Sequence, residues 1–232
     1  MTSAPRRAGG RQRIPRPEQW APGEVPRWAA LPPAERQVGL DEVVERIAQR
    51  GPGRDPRPEP LAARHSAVLI PLFDDGAGPE VVLTRRSEVL SNHRGEVSFP
   101  GGRIDPGETP VQGALREAWE EVGLDPATVE IIGELDHLYT VVSRSRIVPV
   151  VGRLPGRPDL RPATLEVDRI LTVPLTELAD DETYHAEVWG GPRFEHAIHF
   201  FTLDDETVWG ATARMLVQLL EVAFGVEAPA AT

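Results

Sequence analysis

The segment from Phe99 to Leu124, FPGGRIDPGETPVQGALREAWEEVGL, constrains the fold more than any other, because it spells a glycine-rich loop followed by a helix with two unlike faces. Thr109 as N-cap, Pro110 at the first helical position and Gln112 closing a capping box mark the start, and Gly123, with Pro126 beyond it, marks the stop. The spacing predicts a helix over 110–122. At about 100° per residue from Glu117, Glu121 falls at about 40° and Glu120 at about 300°, whereas Val111, Leu115, Ala118, Trp119 and Val122 fall between about 100° and about 200°. The apolar arc must dock on a partner surface. The other side presents three carboxylates, and Gly113, at about 320°, leaves room beside them.

Like charges one helical turn apart repel by roughly a few tenths of a kcal/mol, so their grouping calls for a reason. A solvated acidic face is one. A hard cation is the other, since Mg²⁺ takes oxygen ligands from a few carboxylates, water and substrate phosphates. The preceding loop favours the cation: Gly101, Gly102 and Gly107 permit backbone conformations and close approaches closed to other residues.

Short apolar runs surround this unit, among them SAVLIPLF, EVVLTRR, TVEIIGELDHLYTVV, RIVPVVGRL, EVDRILTVPL, YHAEVW and EHAIHFFTL, and an amphipathic WGATARMLVQLLEVAFG closes the chain. Strands outnumber helices and do not alternate with them regularly, which predicts an α/β fold with a mixed sheet flanked by a few helices. Trp119 and Trp209 are expected in the core rather than as base-stacking platforms, and His199 as structural or solvated.

Residues 1–60 differ in kind. They hold 11 of the 24 prolines and 11 arginines against 8 acids, whereas residues 61–232 hold 14 arginines against 28 acids. Proline-rich composition resists compact folding, so we expect a mostly flexible arm over 1–60 carrying one helix at about 33–50, followed by a domain over 61–228. The acidic balance of the second part argues against a nucleic-acid surface. No apolar run is long enough to span a membrane and no secretory signal is evident, which predicts a cytoplasmic protein without a membrane partner. The chain has no cysteine and no lysine, so disulfides, thiolate sites and lysine nucleophiles are excluded.

Gly102, Glu108, Arg116, Glu117, Ala118, Glu120, Glu121, Gly123 and Leu124 match every fixed position of the signature of the Nudix hydrolase family, which this chain resembles. The resemblance implies an α/β/α sandwich with a mixed β-sheet and metal-dependent hydrolysis of a nucleoside diphosphate linked to another group. It implies Mg²⁺ or Mn²⁺ held by Glu117 and Glu121, with Glu120 direct or through water and the Gly102 carbonyl completing the set, and Arg116 orienting a glutamate while Glu108 braces the loop. The general base is Glu117 or a carboxylate from a later loop, for which Glu166 and Asp168 are candidates.

Residues 83–102, LTRRSEVLSNHRGEVSFPGG, resemble the additional motif of the coenzyme A pyrophosphatase branch through Leu83, Thr84, Arg86, Ser87, Gly95, Phe99, Pro100, Gly101 and Gly102, with Val82 and Ser91 departing from it. That likeness implies cleavage of coenzyme A or acyl-CoA to 3',5'-ADP and 4'-phosphopantetheine. The alternatives are ADP-ribose or another dinucleotide as substrate, or a catalytically silent nucleotide-binding module. Arg85, Arg86, His93, Arg94 and Arg103 form a basic set suited to the phosphates of a small nucleotide, with Ser87 beside them, since guanidinium forks match phosphate oxygens. A homodimer is left open.

Overall fold

The computed structural model describes residues 8–55, 64–88, 94–140, 144–191 and 194–227. In chain order the elements are β1 (Trp20–Pro22), α1 (Leu40–Gln49), β2 (Arg64–Asp74), β3 (Pro79–Arg86), β4 (Val97–Ser98), β5 (Gly101–Arg103) and α2 (Pro110–Val122). They continue with β6 (Glu130–Glu134), β7 (Leu138–Thr140), β8 (Ser145–Arg153), β9 (Val167–Pro174), α3 (Leu175–Leu178), β10 (Tyr184–Gly191), β11 (Phe194–Thr202), β12 (Thr207–Trp209) and α4 (Gly210–Ala223).

The larger sheet runs β4-β3-β2-β8-β6, with β5 also on β2, β7 on β8 and β9 on β3. It is mixed: β2 and β8 are parallel, and the other pairings are antiparallel. Alternation along β2 divides the core in two. Ala67, Leu69 and Phe73 pack with Ala114, Ala118 and Val122 of α2, whereas Ile70 and Leu72 belong with Val43 and Ile47 of α1 and Leu216 and Leu219 of α4. Helices therefore cover both faces of a mixed sheet, the expected α/β/α arrangement. A second, antiparallel sheet runs β1-β10-β11-β12.

Two expectations need correction. The helix expected at 33–50 begins only at Leu40, because Pro33–Glu35 form a separate 3₁₀ turn and Gly39 supplies an extended N-cap. The segment before residue 60 is also no detached arm where it is described. Trp28 is 1% exposed and meets the Tyr184 ring edge-on at 5.2 Å, and Arg36 is buried, donating to the carbonyls of Ala29, Leu31 and Ala179. Proline and arginine oppose regular structure, but not docking through side chains and short turns.

Trp119 is likewise not in the core: it is 53% exposed. The face of α2 that meets the sheet is centred on Ala114, Ala118 and Val122, so the buried arc spans roughly 40° to roughly 140° on the scale set by Glu117. Trp119, at about 200°, falls outside it, and Glu121, at about 40°, falls inside. Trp209 is half-buried and packs near Trp189, with ring centroids 6.1 Å apart.

Candidate active site

The α2 helix forms as its sequence directs. Thr109 Oγ1 accepts from the Gln112 N–H at 3.2 Å, the Gln112 side chain accepts from the Thr109 N–H at 2.9 Å, and Gly123 takes a left-handed conformation at φ 71°. The preceding loop is fastened to β2. The Leu69 N–H donates to the Pro100 carbonyl at 2.9 Å, and Gly101 and Gly102 lie opposite Val68 and Ala67. A Cβ on Gly101 would stand 2.5 Å from the Ala67 carbonyl oxygen, and its φ is 154°, so the backbone approach requires glycine.

This approach brings α2 and the loop together at two carboxylates. The Gly101 N–H donates to Glu121 Oε2 at 3.1 Å. At Gly102 a Cβ would meet the Glu117 carboxyl carbon at 2.6 Å, so Glu117 occupies the space that a missing side chain leaves. One glycine pair thus receives two carboxylates that lie one helical turn apart.

Arg116 ties the rest together. Its guanidinium grips Glu108 with two bonds of 2.9 and 3.1 Å, reaches Glu117 at 3.0 Å and Glu120 at 3.3 Å, and donates to the Arg103 carbonyl at 2.9 Å. Glu108 in turn accepts from the Asp105 N–H at 2.9 Å, which braces the turn before α2. The bond to Glu108 raises the Arg116 pKa and, from the other side, holds the Glu108 carboxyl below the ordinary range.

The two carboxylates on the glycine pair shift in the same direction. Burial pushes Glu121 up to about 7, partly offset by the Gly101 N–H and Arg86 and reinforced by Glu117 and Glu166. Burial also raises Glu117, against the pull of Arg116 and with Glu120 and Asp105 adding repulsion. Glu120 is half-exposed and turned to Arg116. Among the described residues no three His, Asp or Glu side chains are gathered into a group able to hold a metal ion; Glu117 and Glu121 form a pair at the glycines, and Glu120 faces Arg116. The pair itself fits a hard divalent cation, since two mutually repelling, poorly solvated carboxylates border a backbone with no side chain in the way.

Other expected site residues are divided. Arg86 bonds Glu166 at 3.0 Å and contributes to the field at Glu121, and the Ser87 N–H donates to the Glu166 carbonyl at 2.8 Å. Arg94 and Arg103 are exposed. Arg85 is committed elsewhere: it pairs with Glu88 at 2.5 Å, Asp168 at 2.6 Å and buried Glu206 at 2.8 Å, which corrects its expected availability to substrate. His93 and Ser91 lie outside the described residues. Burial pushes His199 down to about 4, and its Nδ1 lies 2.8 Å from the Tyr184 hydroxyl, a structural placement. The Gly101 amide and Glu206 were not singled out from the sequence as functional groups; one is a backbone group and the other an acid among 36, so neither carries a local signal.

The NUDIX domain model matches residues 63–189, more than half of the chain. NudL, a Nudix hydrolase of Photorhabdus laumondii, is 34% identical over 187 residues, which cover 79% of this chain and 97% of that protein. Nudix hydrolase 22, chloroplastic, of Arabidopsis thaliana is 37% identical over 173 residues, covering 69% of this chain and 56% of the relative, so the chain spans little more than half of that longer protein. Among solved structures, a MutT/nudix family protein from Enterococcus faecalis aligns with a TM-score of 0.46 at 17% identity, over 80% of this chain and 69% of that one. With a capped helix carrying Arg116, Glu117 and Glu121 against Gly101–Gly102, inside a matched domain, the chain belongs to the Nudix hydrolase family, enzymes acting on nucleoside diphosphate derivatives.

Proposed function

We propose that this enzyme hydrolyses the diphosphate linkage of coenzyme A or an acyl-CoA to 3',5'-ADP and a 4'-phosphopantetheine product. The same reading makes it a cytoplasmic enzyme with a small nucleotide as its partner, not nucleic acid or membrane; among the described residues no helix is long and apolar enough to cross a membrane. The observation that carries the chemistry is the meeting of Glu117 and Glu121 at Gly101–Gly102. The narrower substrate choice is supported by residues 83–102: the Thr84 hydroxyl donates to the Ser98 carbonyl at 3.2 Å and Phe99 is buried, so the motif frames the loop that reaches the carboxylates.

Mg²⁺ or Mn²⁺ at Glu117, Glu121, Glu120 and the Gly102 carbonyl would supply positive charge against the diphosphate oxygens and acidify water there. Arg116 opposes the rise that burial imposes on the Glu117 pKa and holds its carboxylate in place, and through Glu108 it braces the loop. Arg86, Arg94 and Arg103, with Ser87, would meet phosphate oxygens. Both later carboxylates are paired with an arginine, Glu166 with Arg86 and Asp168 with Arg85, but only the charge of Glu166 is felt at Glu121, which favours Glu166 of the two to hold the proton of the attacking water.

Product chromatography after incubation with Mg²⁺ or Mn²⁺ tests this reading on coenzyme A, acetyl-CoA, ADP-ribose and a dinucleotide. Release of 3',5'-ADP from coenzyme A is expected. Cleavage of ADP-ribose with coenzyme A untouched would replace the substrate, and no cleavage of any of them would point to a silent module.

A further inference from the structure

We propose that Gln12, outside the residues matched by the family model, is a positioning residue that fixes the loop carrying the phosphate-binding arginines. The inference rests on the reading above that Arg86 and Arg94 meet substrate.

The segment around Gln12 is seated on the turn between β11 and β12. The Ala8 N–H donates to the Asp204 carbonyl at 3.1 Å, the Gly9 N–H to the Leu203 carbonyl at 3.0 Å, and the Thr207 hydroxyl to the Gly9 carbonyl at 2.6 Å. Its register is fixed at Gly10, where φ is 70° and a Cβ would stand 2.2 Å from the Asp205 carbonyl oxygen, so no larger residue could sit there.

From that seat the Gln12 amide reaches two places at once. Its Oε1 accepts from the Thr207 N–H at 2.6 Å, and its Nε2 donates to the Gly95 carbonyl at 2.9 Å. One side chain thereby joins the smaller sheet to a loop of the larger one. Gly95 is buried in a left-handed conformation at φ 64°, and its N–H donates to the Arg86 carbonyl at 3.1 Å while the Arg86 N–H donates to the Glu96 carbonyl at 2.9 Å. The turn held by Gln12 therefore sets the backbone of Arg86, carries Arg94, and leads through β4 to Gly101, whose N–H holds Glu121. Arg85 to buried Glu206 makes a second tie between the same regions.

The chemistry of the amide decides the test. Gln12→Glu keeps an acceptor for the Thr207 N–H but removes the donor to Gly95 and sets a carboxylate against its carbonyl. Steady-state hydrolysis of coenzyme A by the full chain should show KM raised about fivefold in Gln12→Glu and in Gln12→Ala, the loss expected for one net hydrogen bond. The kcat should stay within about twofold, and the melting midpoint within about 3 °C. A side chain that serves only the fold would lower the midpoint and leave KM alone, so an unchanged KM, or a fall confined to kcat, overturns the proposal. If the wild-type chain cleaves no nucleoside diphosphate derivative, the functional reading has failed instead. Amide hydrogen exchange at Gly95 then decides: faster exchange in Gln12→Glu supports the tie, and equal exchange overturns it.

Discussion

The Gly101 N–H donates to Glu121 Oε2 at 3.1 Å, and it is the main compensation for a carboxylate that the fold has placed in its interior. Burial outweighs that bond and lifts the Glu121 pKa from 4.5 to about 7. Below pH 4.5 the group is protonated folded or unfolded and its shift is without cost. Between 4.5 and about 7 the folded state holds the extra proton, so stability falls as pH rises, by about 3 kcal/mol in all above that window. Glu121→Gln removes the charge while its amide oxygen can still accept from Gly101. In metal-free urea titrations the variant should match the wild type near pH 4.5, exceed it by about 2 to 3 kcal/mol at pH 8, and lack turnover. His199, pushed down to about 4, acts oppositely, costing stability as pH falls below 6.5, but it is common to both proteins and cancels in their difference.

The same carboxylate should make stability depend on metal. A cation binds the ionised form, so its effect on the melting midpoint is expected to grow as pH rises through about 7. At a hundredfold excess over its dissociation constant, Mg²⁺ or Mn²⁺ should stabilise the wild type by about 2.7 kcal/mol at pH 8 and leave Glu121→Gln nearly unmoved. Equal shifts in the two proteins by differential scanning calorimetry would remove Glu121 from the ligand set.

Arg116 offers a separate handle, because it joins Glu108, Glu117, Glu120 and the Arg103 carbonyl without being part of the glycine contact. Arg116→Ala should cost about 2 kcal/mol in urea unfolding, since a partly buried set of carboxylates loses its shared cation, and should lower kcat as Glu117 is released. Arg116→Lys keeps the charge but not the fork to Glu108, so it should recover only part of each. Retention of full kcat in the alanine variant would leave Arg116 a brace for the loop alone.

These effects follow from contacts of two kinds, and only one kind was readable in the sequence. The capping box at Thr109 and Gln112 and the left-handed Gly123 are local, fixed within a few turns of chain, and they stand in the structure as spelled. Trp119 could not be placed from periodicity, because the small residues Ala114 and Ala118 decide which arc of the helix meets the sheet. Arg85 read as a ligand for phosphate, yet its partners Asp168 and Glu206 lie far along the chain, and nothing nearby announces them. The proline-rich start read as an arm for the same reason.

Trp28 measures how far that reading must be revised. Its ring is 1% exposed in the cluster that also holds Val43 and Ile47 of α1 and Leu219 of α4. Trp28→Ala should cost about 3 to 5 kcal/mol in urea unfolding, as expected for a buried aromatic replaced by a cavity. A change below about 1 kcal/mol would mean that the segment before α1 adds little to the fold.

The glycine pair separates geometry that serves the fold from geometry that serves the site. In Gly101→Ala the new methyl meets backbone, 2.5 Å from the Ala67 carbonyl oxygen and from the Val68 Cα, at a φ of 154°. Backbone in a sheet cannot step aside, so the variant should lose about 3 kcal/mol or more, and activity with it. In Gly102→Ala the three atoms nearest the methyl all belong to the Glu117 carboxylate, at 2.6 to 2.7 Å, which is the far end of a flexible side chain. That carboxylate can swing away at small cost, so stability should stay within about 1 kcal/mol while kcat falls by about tenfold or more, because Glu117 no longer borders Gly102. Parallel urea unfolding and turnover assays on the two variants read both quantities. If Gly102→Ala retains wild-type kcat, the closeness of Glu117 to Gly102 has no part in the reaction.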